Sequence, residues 1–105
     1  MPHPTFDLTG KTAFLTGGSR GLGKGFALTL ARAGCDLAIT ARSVADLAET
    51  TAAIEALDRK VLPLALDVRD HDSIRTATAQ AAAHFGRIDI LVNNASLERQ
   101  SAIDT

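Results

Sequence analysis

Four strand-sized apolar runs alternate with three longer segments of helical pattern, and that alternation narrows the choice of fold more than any other property of the chain. The runs are TAFLT at 12 to 16, DLAIT at 36 to 40, VLPLAL at 61 to 66 and IDILV at 88 to 92. Between them, Leu22 to Ala33, Val44 to Leu57 and Ser73 to Phe85 carry apolar residues at helical rather than alternating spacing. The order is β-α-β-α-β-α-β. Strands that are apolar along their length are buried on both faces, so the pattern predicts an α/β fold with a parallel sheet covered by helices on each side. Gly34 is positioned to end the first helix, Asp70 to cap the start of the third, and Gly86 to end it. Right-handed crossovers, with the chain doubling back after the third strand, predict a doubly wound sheet of strand order 3-2-1-4. The third strand is then an edge, which suits Pro63 because proline cannot donate to a ladder.

With 105 residues, 46% of them hydrophobic, the chain has enough apolar material for one core, and it reads as a single domain or part of one. Its 11 basic and 12 acidic residues leave a net charge of −1, which gives no global attraction to nucleic acid or to an anionic membrane. Any anion site has to be local. The single cysteine, Cys35, excludes an internal disulfide framework, offers no zinc-ligand spacing and is expected as a small core residue. No run approaches the roughly 18 apolar residues of a membrane span, and MPHPTFD lacks the basic and apolar regions of a signal peptide. The expected compartment is the cytoplasm.

The stretch TGGSRGLG, Thr16 to Gly23, concentrates 4 of the 8 glycines directly after the first strand. A bare turn between a first strand and a first helix can bring backbone N–H groups and the positive helix end up to a phosphate. Gly17 can make the sharp exit from the strand, Gly21 can let a pyrophosphate come close, and Gly23 can let the helix pack tightly, while Ser19 adds a hydroxyl donor. A tight turn whose glycines serve only backbone geometry is the alternative. The spacing is Gly-x3-Gly-x-Gly, which differs from the Gly-x-Gly-x2-Gly of the standard dinucleotide fingerprint.

Here the sequence resembles a known family. TGGSRGLG resembles the TGxxxGxG cofactor motif of the short-chain dehydrogenase/reductase family, LDV at 66 to 68 resembles its adenine-contacting Asp-Val, and NNAS at 93 to 96 resembles its NNAG, with Ser96 in place of the usual glycine. All three occur in the family's order and spacing and together cover essentially the whole chain. The resemblance implies a Rossmann-type fold binding NAD or NADP. It puts Gly17, Ser19, Arg20, Leu22 and Gly23 around the pyrophosphate and adjoining ribose, Asp67 and Val68 on either side of the adenine, and Asn93 and Ala95 near the nicotinamide ribose, with Asn93 or Asn94 bonding across the central sheet.

The choice between the two cofactors turns on the end of the second strand, where an NAD site usually carries Asp or Glu to bond the ribose 2′-OH. This chain reads ITARS there, and the guanidinium fork of Arg42 matches a 2′-phosphate, so NADP is expected over NAD. A basic residue inside the glycine turn accompanies NADP in related proteins, and Arg20 would supply it. An adenosyl cofactor on a similar fold wants an acidic residue at the place of Arg42.

The family's chemistry is hydride transfer between nicotinamide and a carbonyl or alcohol, assisted by a Ser, a Tyr and a Lys in the second half of the domain. This sequence contains no tyrosine, and its lysines, Lys11, Lys24 and Lys60, stand in no YxxxK motif. The chain therefore reads as the N-terminal, apparently truncated cofactor-binding portion of an oxidoreductase, with catalytic residues expected beyond residue 105. The resemblance further implies a small-molecule substrate and a homo-oligomer for the parent, while metal, nucleic acid and membrane are not expected. The competing reading is a noncatalytic dinucleotide-binding or interaction module. His3, His71 and His84 are expected in the tail, a first helical turn and a helix end, without a functional role.

Overall fold

The computed structural model describes residues 7–94. Four parallel strands, β1 (Thr12–Thr16), β2 (Asp36–Ala41), β3 (Val61–Ala65) and β4 (Ile90–Asn93), form one sheet of order β3-β2-β1-β4. They are joined by α1 (Gly21–Arg32), α2 (Ala48–Ala56) and α3 (His71–Phe85). The α/β class, the strand order and the edge position of β3 with its Pro63 are those expected from the pattern of runs. Proline at an edge removes a donor where no central ladder needs one.

The sheet separates two cores. Leu15, Leu37 and Ile39 point to one face and meet Leu47, Ile54 and α1, whose Ala27 and Ala31, four residues apart, let the helix backbone come close. Fully burying each of those large side chains contributes about 2 kcal/mol. Cys35 lies in the same core and is fully buried, and burial raises its thiol pKa. On the other face Phe14, Ala38, Leu64 and Leu66 pack against Ala77 and Ala81 of α3, the same i, i+4 pairing of small residues. The helices lie on opposite faces because the chain turns back after β3 and crosses to β4 beyond β1.

Element boundaries moved where tertiary contacts outrank periodicity. The segment from Val44 begins as a 3₁₀ turn (Val44–Leu47) before α2, a common tightening at a helix start. The fourth strand runs Ile90–Asn93 and not 88 to 92, because Ile88 joins the α3 core and Asp89 binds the start of β1. Its carboxylate accepts from the Thr12 N–H at 2.9 Å while its own N–H donates to the Thr12 carbonyl at 2.8 Å. Asp70 caps α3 as expected, accepting from the N–H groups of Asp72 and Ser73, and Gly86 ends that helix in the left-handed region. Gly34 follows the Ala33 cap of α1 with φ +109°. His71 and His84 are exposed, the latter edge-on to the Phe85 ring.

Candidate functional site

The turn that leaves β1 is held from three directions. The Gly18 N–H donates to the Thr40 carbonyl of β2 at 2.9 Å. Thr50 Oγ1, from α2, donates to the Gly18 carbonyl at 2.9 Å, and Asn94 Nδ2, just past β4, donates to the Gly17 carbonyl at 3.1 Å. One residue earlier, Thr16 Oγ1 donates to Asn93 Oδ1 at 3.2 Å. These bonds fix the turn before any ligand arrives.

Glycine is needed here for two different reasons. Gly17 and Gly21 have φ of +75° and +58°, the left-handed region that a side chain disfavours. At Gly23 the demand is steric: a Cβ would lie 1.7 Å from the Gly17 carbonyl oxygen and 2.8 Å from Asn94 Nδ2. The helix thus packs directly onto the turn's own backbone.

The start of α1 leaves its first amides without a side-chain cap. Arg20 is its N-cap in an extended conformation and makes no side-chain cap, and no acidic residue occupies the first turn. The N-terminal amides of a helix have no intrahelical partner, and a side-chain oxygen usually supplies one. The cap of α3 by Asp70 shows the ordinary arrangement in the same molecule. Around a Cβ at Gly21 there is open space to 4 Å, so an oxyanion can approach the turn, with the helix dipole adding about 0.3–1 kcal/mol. Ser19 is half-buried beside this opening, and Leu22 is 67% exposed at its rim.

The remaining candidates lie along the same edge of the sheet, as the C-terminal ends of parallel strands must. Arg42 follows β2 and is exposed. Asp67 and Val68 follow β3, Val68 half-buried against the α3 core. The Asp67 N–H donates to Ser73 Oγ at 3.0 Å, and its carboxylate accepts from Arg69 three times: from Nε, from Nη2 and from the backbone N–H. The Arg69 side chain and backbone, with a smaller contribution from the charge of Arg42, hold the Asp67 pKa down at about 2. Asn93 ends β4; Ala95 and Ser96 lie outside the described residues. Reading along the order β3-β2-β1-β4 gives Asp67, Arg42, the glycine turn and Asn93, over about 14 Å of sheet edge at the usual strand spacing.

Two of these contacts were not singled out in the sequence. Thr50 shares the buried stripe Leu47, Thr50, Ile54, and a hydroxyl on an apolar helical stripe is the signal that it has a buried acceptor to meet. Arg69 stands two residues after Asp67, and an Asp-x-Arg step at a strand end is the corresponding signal. Among the described residues no group of three His, Cys, Asp or Glu side chains could hold a metal ion, and no helix is long and apolar enough to cross a membrane.

A short chain dehydrogenase family model matches residues 11–105. The 2-dehydro-3-deoxy-D-gluconate 5-dehydrogenase of Escherichia coli K12 is 47% identical over 95 residues, which cover 90% of this chain and 37% of that enzyme. Among solved structures, carveol dehydrogenase from Mycobacterium avium in complex with NAD is similar with TM-score 0.77 and 31% identity, over 83% of this chain and 36% of that one. A metagenomic short-chain oxidoreductase in complex with NADP is similar with TM-score 0.76 and 33% identity, over 80% of this chain and 38% of that one. The chain thus spans a little over a third of the length of each of these three proteins.

Proposed function

This chain belongs to the short chain dehydrogenase family, and we propose that it is the NADP(H)-binding portion of an oxidoreductase that transfers hydride between nicotinamide and a carbonyl or alcohol substrate. The observation that carries this reading is the linear order of chemistry along the sheet edge: Asp67, then Arg42, then the glycine turn, then Asn93. A dinucleotide presents the same series from adenine through ribose and pyrophosphate to the nicotinamide ribose. Ligands of open α/β sheets bind at these strand ends, where the strand order reverses.

Each residue then has a task its surroundings suit. Gly17, Gly21 and Gly23, with Ser19 and the first amides of α1, receive the pyrophosphate, and Leu22 covers it from the rim. Arg42, assisted by Arg20, takes the 2′-phosphate through charge-assisted hydrogen bonds. Asp67 and Val68 flank the adenine. Asn93 and Ala95 orient the nicotinamide ribose, Asn93 being anchored through its bond from Thr16. The bound dinucleotide supplies or accepts the hydride. The proton transfer that accompanies it requires Ser, Tyr and Lys side chains outside these 105 residues, which contain no tyrosine. The protein carrying this portion acts on a small molecule, as a homo-oligomer, in the cytoplasm.

The NADP assignment is tested by Arg42→Asp. NADPH affinity is expected to fall about tenfold or more, since a charge-assisted bond is replaced by repulsion, while NADH binding is kept or improved. Titration with each nucleotide, followed by fluorescence or heat, measures both. An unchanged ratio of the two affinities overturns the assignment.

A further inference from the structure

The carboxylate of Asp67 is bonded by one guanidinium, that of Arg69, and a second arginine, Arg42, follows the neighbouring strand end. Arg69 holds it by a fork, Nε to Oδ1 and Nη2 to Oδ2, both at 3.1 Å, and adds its backbone N–H to Oδ1 at 3.0 Å. Such a two-pronged contact fixes the carboxylate in one orientation. Arg42 is the other cation. Ala41 accepts from the Leu66 N–H at 2.9 Å, so residues 42 and 67 leave adjacent strand ends one step beyond a formed hydrogen bond. Without Arg69 the nearest guanidinium partner for Asp67 is therefore Arg42, and a fork engaged by a carboxylate is lost to a phosphate.

We infer that Arg69 is a positioning residue for cofactor specificity: by holding Asp67 it keeps the Arg42 fork available to a 2′-phosphate that Arg69 itself does not touch. The inference rests on the reading of Arg42 as the NADP(H) selector. It concerns the ratio of NADPH to NADH affinity, because a loss of adenine contact by Asp67 weakens both nucleotides alike.

The test measures that ratio in the full-length chain for wild type, Arg42→Gln, Arg69→Gln, Arg69→Lys, Asp67→Asn and the double variant Asp67→Asn/Arg69→Gln. Arg69 is exposed, and thermal melts check that each variant is folded. Arg69→Gln is expected to lower the NADPH preference about threefold, the scale of an exposed ion pair. Arg69→Lys, which keeps the charge and loses the fork, should fall between wild type and Arg69→Gln. The double variant should regain the wild-type preference, since the Asp67 carboxylate that would capture Arg42 is gone. If Arg42→Gln collapses the preference and Arg69→Gln does not change it, the inference fails alone. It also fails if the double variant stays as impaired as Arg69→Gln, which means that Arg69 meets the phosphate directly, or if Arg69→Lys equals wild type, which reduces its role to charge. A wild-type ratio near one, or a ratio untouched by Arg42→Gln, overturns the NADP reading itself and the inference with it.

Discussion

Gly23 and Gly25 stand two residues apart on one helix and have opposite prospects. A methyl group at Gly23 meets the Gly17 carbonyl oxygen at 1.7 Å, and that oxygen cannot retreat while Asn94 holds it. Gly23→Ala is therefore expected to destabilise the fold by about 2–3 kcal/mol and to abolish nucleotide binding. Gly25 has nothing within 4 Å of a Cβ, so Gly25→Ala should stabilise α1 by about 0.5–1 kcal/mol with binding intact. Thermal unfolding followed by circular dichroism compares the two directly, and equal melting temperatures refute the steric account. The glycine spacing was legible in the sequence as a turn before a helix. So were the sharp exit at Gly17 and the close helix packing at Gly23, whereas the Gly17 oxygen that a side chain at Gly23 would strike, and the Asn94 amide that holds it, were not, because only the sheet brings Asn94 there.

Helix α2 shows the same division between local signal and distant partner. Its existence followed from helical spacing, whereas the 3₁₀ turn at Val44–Leu47 and the bond from Thr50 to the Gly18 carbonyl depend on where β2 delivers the chain. That bond ties α2 to the glycine turn, and the ion pair of Lys24 with Glu49 ties it to α1 nearby. Thr50→Val keeps the shape and leaves a buried carbonyl without its donor. It is expected to cost about 1–3 kcal/mol in denaturant unfolding and to weaken nucleotide binding, while Thr50→Ser retains both. A Thr50→Val protein as stable as wild type would show that water replaces the hydroxyl. The limits of β4 were misjudged for a related reason. Asp89 reads locally as a strand residue, yet its carboxylate is committed to Thr12, 77 positions away, and no periodicity carries that information.

For the whole molecule, the parallel sheet, its strand order and its two-sided cover were legible because crossover handedness leaves few topologies. The two edges of the sheet differ. β3 carries Pro63, which blunts further pairing, whereas β4 is an edge among the described residues and exposes 69% of Leu91 on the face it shares with Phe14. A polypeptide of these 105 residues is expected to self-associate in a concentration-dependent way, and Leu91→Lys should shift it toward monomer. Sedimentation velocity distinguishes the two, and a wild-type chain that is monomeric across the accessible concentrations removes the argument. The bond from Asn94 to Gly17 spans 77 residues of chain, and this gives the turn a place in time as well as in space. On a ribosome, the glycines emerge roughly 4 to 15 seconds before the amide that secures them. Late in that interval β1, β2 and β3 can already pair while the turn still lacks its Asn94 anchor, so under the proposed function a nucleotide meets the turn only once the fourth strand is in place.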